Sequence, residues 1–180
     1  MKINKLFLGM ILGAGVLVSQ FALAGPTTGN IIFNGALTAD TCVVTNGTSG
    51  NITVTLPTLP VTSLGASGAT AGSTPFQIVL SKCPSLIPVR VLYSLGSAGI
   101  TTDRLNNSGS ATNVQIQLLN SASGVISLGQ LSAAAQGDVP VVTDATGAAT
   151  LAYTARYYAN GAAAGAGSVT SNAVYTIVFN

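Results

Sequence analysis

The sequence predicts an all-β sandwich. Three observations carry this: apolar and polar side chains alternate with period two over most of the chain, turn-forming residues separate the alternating runs, and helical patterning after the first 24 residues is thin. In chain order, Ile52, Val54 and Leu56 alternate with polar neighbours, followed by Phe76, Ile78 and Leu80. Val89, Val91, Tyr93 and Leu95 repeat the pattern, as do Val114, Ile116 and Leu118. Leu151, Tyr153, Ala155 and Tyr157 share one face of a long run, and Ala173, Tyr175, Ile177 and Phe179 one face of the last. Asn46-Gly47, the stretch Gly65 to Gly72, Ser108-Gly109, Ser123-Gly124, Gly137-Asp138, Thr146-Gly147 and Asn160-Gly161 supply the turns. Leu131 to Gln136 is too short for a helix and reads as loop or a single turn. The Ala/Gly stretch Asn160 to Gly167 reads as a loose hairpin connection, because alternation resumes directly after it.

Before these strands, Lys2 and Lys5 precede an apolar run from Leu6 to Val18, and Ala22-Leu23-Ala24 follows. This is the pattern of a secretory signal peptide, residues 1–24, cleaved after Ala24. The run falls short of the roughly 20 residues a bilayer core requires, so stable membrane insertion is not expected. The exported chain carries Lys82, Arg90, Arg104 and Arg156 against Asp40, Asp103, Asp138 and Asp144, and is formally neutral. Four scattered cations build no groove for nucleic acid, and low charge favours association with other copies.

Chemistry is an improbable task for this composition. Histidine is absent from the 180 residues, which excludes Ser-His-Asp and Cys-His catalysis and histidine-ligated zinc, and only four carboxylates exist. No catalytic residue, metal or cofactor is expected. Cys42 and Cys83 lack the CxxC spacing of a redox pair. After export into an oxidising compartment they have only each other, and a bridge closing a loop of about 40 residues should stabilise by about 4 kcal/mol. The Asn-X-Ser/Thr sequons at Asn46, Asn51 and Asn106 read as ordinary turn and strand composition.

Ahead of the first cysteine, Gly29, Ile31, Phe33, Gly35 and Leu37 share one face of an alternating run. Taken alone this is a first strand of the sandwich. Gly35 nevertheless leaves a flat gap in a bulky row, as happens where another backbone approaches closely.

That run through Cys42, the stretch Phe76-Gln-Ile-Val-Leu-Ser-Lys-Cys83, the stretch Gly109 to Leu119, and the ending Ala155-Arg-Tyr157-Tyr158-Ala-Asn-Gly through Tyr175-Thr-Ile-Val-Phe179-Asn180 together resemble the major subunits of type 1 fimbriae. The resemblance covers essentially the whole chain after the leader. It implies an incomplete immunoglobulin-like sandwich of six strands, with residues 25–41 as an N-terminal extension and 42–180 as the pilin domain. The missing strand would come from a neighbour, by donor-strand complementation. Implied partners are other copies of itself and related pilins, a periplasmic chaperone that lends a strand during export, and an outer-membrane usher where the next subunit's extension replaces it. The product would be a non-covalent surface fibre used for adhesion.

The resemblance assigns the donor strand to Gly29, Ile31, Phe33, Gly35 and Leu37. It assigns the acceptor and chaperone-binding strand to Ala173, Tyr175, Ile177 and Phe179, with the Asn180 carboxylate as an anchor for basic chaperone residues. The extension ahead of Gly29 is short and Phe179 stands where a tyrosine is commoner, so the outermost donor pocket is expected to be weakly filled. Other readings stay open at this point. They are a minor adaptor or terminator pilin, a secreted carbohydrate-binding β-sandwich, which the absence of tryptophan disfavours, and a small outer-membrane barrel, which would need paired aromatic girdles.

Overall fold

The computed structural model describes residues 31, 32, 35, 42–101 and 103–179. The chain divides into two units, Met1–Leu37 and Thr38–Asn180. In the first, Ile31 and Ile32 are 80% and 78% exposed, and they and Gly35 lie outside any strand.

The second unit is built of antiparallel strands in two sheets. In chain order these are β1 (Val43–Val44), β2 (Thr70–Ser81), β3 (Pro88–Leu95), β4 (Ile100–Thr101), β5 (Arg104–Asn106), β6 (Val114–Leu119), β7 (Val141–Val142), β8 (Ala149–Ala159) and β9 (Ala173–Phe179). The larger sheet has the order β1-β2-β8-β6-β5-β4 and the smaller β7-β3-β9. The alternating runs expected around Phe76, Val89, Val114, Leu151 and Ala173 are thus the long strands β2, β3, β6, β8 and β9. β2 begins earlier than its apolar pattern, taking in residues that read as turn-forming. A bulge between Ala71 and Thr74, with Gly72 at φ +70°, lets the strand turn without losing its pairing to β8.

Between the sheets, Ile78, Leu80 and Leu151 pack against Val89 and Val91, all at most 1% exposed. Tyr153 sits at the centre, with its ring 5.6 Å from Phe76 and 5.5 Å edge-on from Tyr93. Cys42 and Cys83 form the expected disulfide, tying β1 to the end of β2. β6 is buried on both faces. Its outward Gln117 accepts from both Nε and Nη2 of Arg156, at 2.9 and 2.7 Å, and Arg104 lies 3.7 Å over the Tyr158 ring.

The free edge of β3 is closed by side chains. β7 pairs only with Pro88 and Val89. Beyond it, Gln136 accepts from Tyr93 N–H at 2.9 Å and donates to Tyr93 C=O at 2.7 Å, and Asp138 Oδ2 accepts from Val91 N–H at 2.7 Å. One amide and one carboxyl thereby substitute for a strand. Each backbone group left bare there would cost about 1–3 kcal/mol.

Asp138 Oδ1 also accepts from Tyr153 O–H at 2.9 Å. Burial outweighs these hydrogen bonds and nearby Arg90, and lifts the Asp138 pKa above its ordinary 3.8. An acid whose folded pKa is raised contributes most to stability below its unfolded pKa. That contribution is lost as pH rises from about 4 through the folded value. The melting temperature should therefore climb as pH falls from neutral through this window, and Asp138→Asn should flatten that part of the profile. A mutant profile parallel to the wild type would refute the assignment.

Asn160–Gly167 is not a hairpin connection, because β8 and β9 belong to different sheets. Nor is the crossover loose. Ala164 N–H donates to Leu64 C=O at 3.0 Å and Gly165 N–H to Thr112 C=O at 2.9 Å, while Thr170 N–H donates to Asn107 Oδ1 at 2.8 Å. These bonds fix where β9 enters the smaller sheet. Leu131–Gln136 does form a turn, closed by Gln136 N–H to Ser132 C=O at 2.9 Å.

Candidate functional site: a groove flanked by two unpaired backbones

β9 pairs with β3 along its whole length, from Ala173 opposite Leu95 to Phe179 opposite Val89. It ends the smaller sheet, and its other edge has no strand partner among the described residues. Facing that edge across a groove of about 1000 Å³ is the segment carrying Ile52, Val54 and Leu56.

This segment alternates as a strand should, with Ile52, Val54 and Leu56 half-buried and Thr53, Thr55 and Pro57 exposed. Its three apolar side chains pack against the core. It differs from the sequence expectation in one respect: apart from a bridge between Asn51 and Thr48, it joins no ladder among the described residues. The missing pairing is itself informative. Two extended backbones with unanswered N–H and C=O groups flank one groove, which is the arrangement left when a strand is removed from a sheet.

The groove reaches the core. Phe76, Ile78, Tyr93, Ile116 and Leu118 line it from the sandwich, and Tyr175, Ile177 and Phe179 line it from β9. Tyr175 O–H donates to Gly50 C=O, tying β9 to the loop ahead of Ile52, and burial pushes the Tyr175 pKa up. Phe179 at the far end is 43% exposed, so this end of the groove is shallow and open. Tyr93 O–H in the wall is buried without a hydrogen-bond partner, and its pKa is raised, chiefly by burial.

The residues expected on the acceptor strand are therefore brought together: Ala173, Tyr175, Ile177 and Phe179 all line this groove. Asn180 lies outside the described residues, as do Gly29, Phe33 and Leu37 of the expected donor strand. Of that strand the structure describes Ile31 and Gly35, both exposed. The second wall, Ile52 to Leu56, was legible as a strand but not as an unpaired one. Among the described residues, no group of three or more side chains is suited to holding a metal ion.

A six-stranded and a three-stranded antiparallel sheet with a strand-sized gap define an immunoglobulin-like pilin fold, and the solved structures agree. The P pilus rod subunit PapA superposes with a TM-score of 0.61, covering 77% of this chain and 99% of that one, at 15% identity. The sequence places the chain more closely. The family model "Type-1 fimbrial protein, A" matches residues 56–180. The F17 fimbrial protein of Escherichia coli is 44% identical over 161 residues, which is 84% of this chain and 87% of that protein. The major fimbrial subunit SMF-1 of Stenotrophomonas maltophilia is 42% identical over 163 residues, covering 87% and 95%. The chain belongs to the type-1 fimbrial protein A family and is a structural subunit of a surface fimbria, polymerising with other subunits.

Proposed function

We propose that the groove receives the N-terminal segment of another copy, so that the fibre grows by donor-strand complementation and this subunit forms its shaft. The observation that carries the reading is the pair of unpaired backbones, β9 and Ile52–Leu56, on either side of a groove open to the core. An entering strand would answer both edges at once. Gly29 to Leu37 is long enough, since nine extended residues span about 30 Å and the seven of β9 about 23 Å.

In this reading Ile31, Phe33 and Leu37 fill apolar pockets, and Gly35 passes where the groove leaves no room for a side chain. Each apolar residue contributes about 1.5–3 kcal/mol before ordering entropy is subtracted. Donor and acceptor are different patches of one subunit, so the contact is heterologous and propagates without closing. During export, after removal of residues 1–24, a periplasmic chaperone strand occupies the groove along Ala173, Tyr175, Ile177 and Phe179, anchored at the Asn180 carboxylate. The outer-membrane usher is where a subunit's extension, residues 25–41, replaces it. A shaft role is supported by the kinship with a major fimbrial subunit.

The test is to give the groove its own strand. A second copy of residues 25–41 joined behind Asn180 by a flexible linker should yield a stable monomer that accepts no further subunit. Polymerisation of this fusion as readily as the wild type would refute the proposal.

A further inference from the structure

The sequence contains three Asn-Gly pairs; Asn34 of the first, Asn34-Gly35, lies outside the described residues, and the fold treats the other two, Asn46-Gly47 and Asn160-Gly161, oppositely. Asn46 is held at both ends of its amide: Nδ2 donates to Gln77 C=O at 2.7 Å and Oδ1 accepts from Val79 N–H at 2.9 Å. The backbone beside it is also pinned. A Cβ on Gly47 would sit 2.5 Å from the Asn51 carbonyl oxygen.

Asn160 lies at the start of the crossover, where its backbone N–H donates to Asn113 C=O at 2.9 Å. Its side chain is exposed and makes no hydrogen bond among the described residues. Gly161 is exposed at φ +81°, and a Cβ there would meet nothing within 4 Å. Other asparagines followed by small residues are restrained. Asn107 Oδ1 accepts from Gly109 and Thr170, and Asn120 Oδ1 accepts from Ala122 and Gly124.

From this contrast we infer that Asn160 is a site of spontaneous deamidation in the folded protein, while Asn46 is protected by the fold. The Gly161 backbone nitrogen, losing its proton, attacks the Asn160 Cγ. A C–N bond closes a succinimide ring, and the side-chain nitrogen leaves as ammonia carrying that proton. Water then opens the ring at either carbonyl, giving aspartate or isoaspartate at position 160. The reaction needs a side chain and a following backbone free to rotate into contact, which Gly161 permits and the bonds around Asn46 forbid. Each conversion adds a negative charge to a chain in which charged residues make up only 6%. A fibre would therefore grow more acidic with age.

The experiment incubates assembled fibres and, separately, the reduced and denatured chain at mildly alkaline pH. Peptide mass spectrometry then follows aspartate and isoaspartate at positions 46 and 160. In the denatured chain both sites should convert at similar rates. In the fibre, position 160 should convert about an order of magnitude faster than position 46, and Asn160→Gln should reduce the slow acidic shift of the intact subunit, leaving any part that arises at Asn34-Gly35. No conversion at position 160 in the fibre, or equal conversion at both positions, would overturn the inference.

Discussion

A subunit lacking residues 25–37 behind an intact signal peptide should be exported and captured by its chaperone, yet fibres should stop at it. Its groove is untouched, because both walls, β9 and Ile52–Leu56, lie in the second unit. What it loses is the strand offered to the next groove. Ile31, Phe33 and Leu37 together represent about 5–9 kcal/mol as an upper bound, since the unfolded extension already hides part of that surface. Without that burial, and with the receiving edges left bare, no stable junction forms. Co-expression with the wild type should shorten fibres in proportion to the truncated fraction, measured by electron microscopy. Normal fibres made solely from the truncated form would contradict the mechanism.

The complementary lesion lies on the acceptor. Ile177→Lys places an ammonium on the face of β9 that lines the groove, and burying it unpaired costs several kcal/mol. Such a subunit should lose chaperone capture and strand acceptance together, because both use the same edge. A control separates this from general misfolding. The Val174 side chain alternates with those of Ala173 and Tyr175 and is 52% exposed, so Val174→Lys should assemble normally although Val174 borders the groove. Equal behaviour of the two variants, whether both assemble or both fail, would show that the groove face of β9 is not the acceptor.

These experiments have opposite polarity because the fold leaves one edge open and closes another. β3 is the comparison. Its edge beyond Val89 would be as available as that of β9, had Gln136 and Asp138 not taken up Val91 N–H and both Tyr93 groups. Side chains from a turn can close an edge permanently, whereas a groove lined by Phe76, Ile78 and Ile177 calls for an apolar strand.

The alternation of Phe76, Ile78 and Leu80, and of Tyr175, Ile177 and Phe179, marked β2 and β9 in advance because a strand buried on one face must alternate, whatever it pairs with. The same reasoning found Ile52, Val54 and Leu56, which do turn apolar side chains to the core. It could not show that they join no ladder. Pairing is a relation between distant segments, and an unpaired strand has the same local pattern as a paired one. Two other features lacked any local signature. Gln136 reads as an ordinary polar residue in a turn, yet it is fully buried against β3. Asn160–Gly167 reads as a loose connection, yet hydrogen bonds to Leu64 and Thr112 hold it as a crossover between sheets.

By itself the sequence determined the all-β class, the long strands, the pairing of two cysteines and the family, since each depends on residue type and spacing along the chain. Only the tertiary structure decided which edges are closed, that Ile52–Leu56 stands opposite β9, and that the gap between them opens onto the core. The reason is that hydrogen-bond satisfaction is counted in space, where residues more than a hundred positions apart become neighbours or leave each other bare.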